Sequence, residues 1–148
     1  MTRPHLAYDA MIGIGYTHQF GYRDVGRGNS PILLLQLFSP ARPDEVIDVD
    51  AHLDSGATLT LFDGELATAI GIDLLSGKPR QHVSTVGAGV DARRHRVALV
   101  HEELGRFDLE VSFSTSRISR NLLGRDFFNL VQLGFRERHQ EFYVEAIP

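Results

Sequence analysis

An acid, a hydroxyl residue and a glycine stand in a row at Asp54-Ser55-Gly56, with Ala57 and Thr58 behind them. A carboxylate set among small residues can take a proton from water or return one to a leaving group. Each neighbour has a use in such a loop. The Ser55 hydroxyl can anchor it, and Gly56 permits a backbone path and a close approach that a side chain would block. Ala57 keeps a cleft open, and Thr58 adds a small polar group beside it. A second signal lies far downstream, where Leu122-Leu123-Gly124-Arg125-Asp126 places an apolar pair and a glycine before a charged turn.

The elements around Asp54 are readable. Ile47, Val49, Ala51 and Leu53 alternate with Asp48, Asp50 and His52, the period of a half-buried strand that ends at the acid. Ile32–Phe38 is a leucine-rich run between Pro31 and Pro40 that reads as a buried strand, with a turn over Pro40–Asp44. Extended structure resumes over Thr58–Phe62. Asp63 is then placed to cap a short helix carrying Leu66 and Ile70 and closed by Gly71. Ser76-Gly77-Lys78-Pro79 reads as a turn. Gln81–Val86 and Val90–His101 form two arms around Gly87-Ala88-Gly89, a glycine-flanked tip that suggests a mobile hairpin. Phe107, Leu109, Val111 and Phe113 mark another alternating strand, and Ile118–Leu123 a further one. A short helix is expected over Asp126–Gln132, ended by Gly134, and a last strand over Glu141–Ile147. Residues 1–30 are mixed: Ala10–Tyr16 has the composition of a strand and Gly21–Asn29 that of a loop. Many short strands with two short helices predict an all-β domain, a closed or partly closed barrel.

Composition narrows the function classes. The 148 residues suit one domain with a real core, and a formal charge of −4 argues against a dedicated nucleic-acid surface. The densest basic patch, Arg93-Arg94-His95-Arg96, reads as a solvated face. With no cysteine, thiolate metal sites, disulfides and cysteine nucleophiles are excluded. The seven histidines show no metal-ligand spacing, and no Gly-x-Ser-x-Gly elbow is present. Neither a secretory leader nor a membrane-spanning run is visible, so a soluble, cytoplasmic protein without a membrane partner is expected.

Taken together, the strand entering Asp54-Ser55-Gly56, the glycine-tipped hairpin and Leu122-Leu123-Gly124-Arg125-Asp126 resemble the retropepsin-like aspartic proteases, single-domain enzymes active as dimers. The resemblance spans Ile32 to Val144, making 31–148 the protease domain and 1–30 an extension of uncertain role. It implies an endopeptidase acting on extended peptides, with no cofactor and no metal. Asp54 would be the catalytic carboxylate, supported by Ser55, Gly56, Ala57 and Thr58. Gly87, Ala88 and Gly89 would be the tip of a substrate-covering flap, and Leu122, Leu123 and Gly124 would pack against the catalytic loop. One Asp-Ser-Gly per chain means that a carboxylate pair needs Asp54 from a second subunit, hence a homodimer. Viral members often carry an aspartate where this chain has Thr58, which leaves Arg125 to pair with Asp126 or the other subunit. The dominance of Ile, Leu, Val and Phe suggests apolar substrate pockets. The competing reading is a catalytically silent dimer of the same fold that binds peptides or joins partners.

Overall fold

The computed structural model describes residues 16–82 and 89–147. Twelve strands and two short helices are present among them. The strands are β1 (Gln19–Gly21), β2 (Arg23–Asp24), β3 (Asn29–Ser30), β4 (Ile32–Ser39), β5 (Arg42–Leu53) and β6 (Leu61–Asp63). They continue with β7 (Lys78–His82), β8 (Val90–His101), β9 (Gly105–Ser114), β10 (Asn121–Leu123), β11 (Val131–Arg136) and β12 (Glu141–Ala146). Helix α1 covers Gly64–Ala69 and α2 covers Arg125–Phe128.

The main sheet runs β4-β5-β10-β6-β9-β8-β7, and β8 also pairs with β4 through Leu37 and Leu99. That extra pairing links β4, β5, β10, β6, β9 and β8 in a ring of strands. Its interior is filled by alternate residues: Leu33, Leu35 and Leu37 from β4, Val49, Ala51 and Leu53 from β5, and Val111 and Phe113 from β9. Phe62 meets Phe113 edge to face at 6.1 Å, both with no exposed surface. A buried side chain of this size stabilises the fold by roughly 1.5–3 kcal/mol through the apolar area it removes from water. Leu34 points the other way and is 51% exposed, so β4 is buried on one face and not on both.

Local chemistry sets the helices. The Asp63 carboxylate accepts from Glu65 N at 2.9 Å and starts α1, and Gly71 follows its end at φ +82°, a conformation that a side chain strains. The chain after α2 departs from the expected helix over Asp126–Gln132. Helix α2 stops at Phe128, and Gly134 lies inside β11 instead of ending a helix. The apolar residues here fit either period, and pairing decides between them: β11 lies antiparallel to β12 from Val131↔Ala146 to Arg136↔Glu141. The turn expected over Pro40–Asp44 is also shorter, because β5 already begins at Arg42.

A smaller sheet, β1-β12-β11, lies beside the main one. Phe20 of β1 stacks on Phe142 of β12 at 5.2 Å and meets His101 edge on at 5.4 Å, so the three-residue strand is held by these ring contacts and by its pairing at Gln19↔Tyr143, Phe20↔Phe142 and Gly21↔Glu141. Strands β2 and β3 form a hairpin where loop composition was expected, with Gly26 and Gly28 at positive φ in its turn. The strand expected over Ala10–Tyr16 falls, except for Tyr16, outside the described residues. No helix among the described residues is long and apolar enough to cross a membrane.

The basic patch is only partly a solvated face. Arg93, Arg94 and His95 are half-buried and only Arg96 is exposed. His95 Nε2 lies 2.8 Å from the Leu74 carbonyl oxygen, and Arg94 pairs with Glu110 at 2.9 Å. Packing of the core predicts that Phe113→Ala lowers unfolding stability by about 3–5 kcal/mol in denaturant titration. A loss below about 1 kcal/mol would contradict this assignment of the core.

Candidate active site

Strand β5 delivers Asp54 to the edge of the sheet. Leu53 N donates to the Pro31 carbonyl at 3.0 Å, and Asp54 N donates to the Leu123 carbonyl at 3.0 Å, extending the β5–β10 ladder by one residue. The chain then turns. Gly56 N donates to Asp54 Oδ1 at 2.9 Å and Ala57 N to the Asp54 carbonyl at 3.1 Å. A side chain on Gly56 would crowd that carboxylate, since its Cβ would sit 3.2 Å from Oδ1. Asp54 is half-buried, and Ser55 and Gly56 are exposed beside it. Its Oδ2 has no protein partner among the described residues.

What fixes this loop comes from the distant segment. Strand β10 lies between β5, which it pairs in parallel at Leu123↔Leu53, and β6, which it meets antiparallel at Leu122↔Leu61. The two strands flanking the Asp54 loop are therefore separated by Leu122 and Leu123. Thr60 is fully buried; its hydroxyl donates to Asp126 Oδ1 at 2.7 Å and accepts from Gly124 N at 3.1 Å. Asp126 also accepts from Thr60 N at 3.0 Å and from Phe127 N at 2.8 Å. Arg125 N donates to the Ala57 carbonyl at 2.8 Å and Asp126 N to the Thr58 carbonyl at 3.3 Å. Gly124 is required by space: a Cβ there would lie 2.6 Å from the Leu59 carbonyl carbon. Arg125 finds Thr58, whose Oγ1 accepts from Nη2 at 3.2 Å, and not Asp126. A hydroxyl thus meets the guanidinium.

Two residues outside the sequence reading complete this framework. Thr60 joins the two segments, and Asn121 Oδ1 accepts from Asp63 N at 2.9 Å to lock β10 against β6. Thr60 stands just before β6, where nothing in the local sequence marks it. At the hairpin, β7 and β8 pair from Lys78↔Arg94 to His82↔Val90. Gly89 lies just before β8, against Gln81 and His82. Gly87 and Ala88 lie outside the described residues.

Asp54 is thus a half-buried carboxylate at a strand end, held by a glycine amide and braced by an apolar-apolar-Gly strand. Residues 44–130 match the family model described as "gag-polyprotein putative aspartyl protease", and the chain belongs to that family. A search of curated protein sequences gave no match. Among solved structures, a retropepsin-like aspartic protease from Rickettsia conorii is similar over 90% of this chain and 97% of its own, with 14% identity and a TM-score of 0.61. The EIAV protease, solved with the inhibitor HBY-793, covers 72% of this chain and 92% of its own at 15% identity and a TM-score of 0.51. The retroviral protease-like domain of Ddi1 from Leishmania major covers 79% and 94%, at 17% identity and a TM-score of 0.51.

One histidine, His52, stands two residues before Asp54 and feels its charge. Burial holds His52 below its ordinary value of 6.5, helped by Arg120 and opposed by Asp50 and Asp54. Burial also lowers His82, with Arg80 and Arg94, and lowers His101 against the pull of Glu103 and Glu102. The folded chain therefore binds fewer protons than the unfolded one as pH falls through 6.5, and stability drops in that window.

Two outcomes follow. Thr60→Val leaves Gly124 N and the Asp126 carboxylate short of a partner and costs about 1–3 kcal/mol in denaturant titration, while Thr60→Ser recovers most of it. Urea midpoints taken from pH 7.5 downward fall through the histidine range, and His52→Gln with His82→Gln flattens that slope; a midpoint that rises on acidification would contradict the burial of these rings.

Proposed function

We propose that this chain is an aspartic endopeptidase that works as a homodimer, with Asp54 of each subunit meeting near a two-fold axis. One observation carries the reading: a chain of the aspartyl protease family presents a single, half-exposed Asp54 in a rigidly braced loop, so a pair of carboxylates requires two chains. Two carboxylates a few ångström apart cannot both ionise, and they share one proton, as in aspartic proteases generally. The ionised one takes a proton from water as the hydroxide adds to the scissile carbonyl carbon. The protonated one gives its proton to the carbonyl oxygen. The pair then gives its proton to the amide nitrogen, the C–N bond breaks as one hydroxyl of the gem-diol returns its proton to the pair, and the pair ends with one proton as it began.

In this reading Gly56 N orients the Asp54 carboxylate, and Ser55, Ala57 and Thr58 keep the floor of the cleft small and polar. The Leu122-Leu123-Gly124-Arg125-Asp126 segment holds the loop but touches no reacting atom. Gly87, Ala88 and Gly89 form the tip of a flap over an extended substrate, which would add as a strand with its side chains in alternating pockets. The reaction consumes only water and needs no cofactor.

The test is cleavage of a mixed peptide library by wild-type chain and Asp54→Asn over a range of protein concentrations. The expected result is a fall of roughly a thousandfold or more in the variant, with wild-type activity rising faster than linearly as monomers pair. Cleavage that survives in Asp54→Asn would sink the mechanism. No cleavage by the wild-type chain would favour a peptide-binding or interaction module built on the same fold.

A further inference from the structure

The strand registers carry the face of the sheet that holds Asp54 across to the hairpin. His52, two residues before Asp54 and on its side of β5, stands opposite Leu122. Leu122 stands opposite Leu61, Leu61 opposite Ser112, and Ser112 opposite Arg94. Arg94 stands opposite Lys78, and His82 lies on the same face of β7 four residues further on. Successive side chains on a strand alternate sides, so these residues share one surface, while Leu53, Leu123, Phe62 and Phe113 point into the core behind it.

That surface begins apolar at Leu122 and Leu61 and becomes polar at its far end. Ser112 is 1% exposed, yet its hydroxyl has no hydrogen-bond partner among the described residues. Arg94 Nε and His82 Nε2 are likewise buried without a partner among them. Beyond burial, the Arg80 and Arg94 charges lower the His82 imidazole and that of Asp126 raises it, and His82 itself stands opposite Val90, four residues along β8 from Arg94. Buried polar groups are nearly always paired, and Ser112 and Arg94, which stand opposite one another, each keep a donor without a partner among the described residues. Both can donate, one through a hydroxyl and the other through a guanidinium N–H. Glu110 takes Arg94 Nη2, so Nε is the guanidinium donor left for a ligand, and Lys78 and Arg80 follow on the neighbouring strand, with Asp126 the carboxylate that acts on His82.

We infer that Ser112 and Arg94 form a specificity pocket that binds an acidic side chain of the peptide substrate, on the same face as Asp54. This rests on the protease reading and deepens it. It replaces the apolar pocket expected from composition with an apolar wall at Leu61 and Leu122 and a hydrogen-bonding end. A carboxylate fits both the donors and the charge, whereas an aliphatic side chain would leave them unpaired.

Binding separates this proposal from catalysis. Asp54→Asn protein is titrated with fluorescent extended peptides that carry Glu, Gln or Leu at one position of a common apolar background, scanned along the peptide. At one position Glu should bind about tenfold or more tighter than Leu and tighter than Gln. Adding Arg94→Met should abolish that preference with little change for the Leu peptide, and Ser112→Ala should reduce it. Arg94→Lys, which keeps the charge but not the Nε donor, should leave it partly intact, and thermal melting of each variant verifies folding. Glu and Leu peptides that bind equally at every position, or no binding by any peptide, would overturn the pocket. If the Glu preference appears but the wild-type chain cuts nothing, the pocket stands and the protease reading falls. If the wild-type chain cuts with no acidic preference, the reverse holds.

Discussion

The fold around Asp54 depends on the Thr60–Asp126 contact. A fully buried hydroxyl stands between the Gly124 amide and a carboxylate that also takes the Thr60 and Phe127 amides. Hydrogen bonds to a charged acceptor are worth about 1.5–3 kcal/mol each, more than neutral ones, and an unmet partner here would be buried. The exposed Arg125–Thr58 contact beside it contributes far less, as surface polar pairs generally do. So the loop is positioned mainly from beneath, by a residue pair 66 positions apart in sequence.

That separation has structural consequences. Strand β10 enters between β5 and β6 from the far side of β7, β8 and β9 in the chain, and it pairs in parallel with one neighbour and antiparallel with the other. Pairings of this kind close long loops before they are rewarded, which favours slow, cooperative folding. The arrangement also makes the Asp54 loop rigid: both its flanks are pinned to the same three-residue strand, and Gly124 lets the strand's end pass against Leu59 where any Cβ would collide. A carboxylate that must meet a partner across an axis requires this kind of fixed placement.

Much of this was legible in the sequence where the physics is local. The alternation of Ile47 through Leu53 and of Phe107 through Phe113 announced β5 and β9, because a one-sided strand repeats every two residues. Asp63 and Gly71 announced α1, because caps act within a turn. The segment after Asp126 was misread because Phe127, Phe128, Val131 and Leu133 satisfy both helical and extended spacing, and the deciding partner, β12, comes later in the chain. Strand β1 gave no signal at all, since its three residues are extended by virtue of Phe142 and the ladder to β12. At the site, Asp54 and Gly124 stood out by residue type, whereas Thr60 and Asn121 did not: their roles exist only once distant strands meet. Arg94 looked like part of a charged surface, and only its register opposite Ser112 reveals which face it occupies.

The central claim is that one active centre takes an Asp54 from each of two chains. The most direct measurement mixes wild-type chain with Asp54→Asn at fixed total concentration, lets subunits exchange, and follows peptide cleavage as the mixture is varied. A shared centre predicts activity proportional to the square of the wild-type fraction, so that an equal mixture keeps about one quarter of full activity. Activity that falls in direct proportion, to about one half in that mixture, would contradict the account, since each chain would then be working alone.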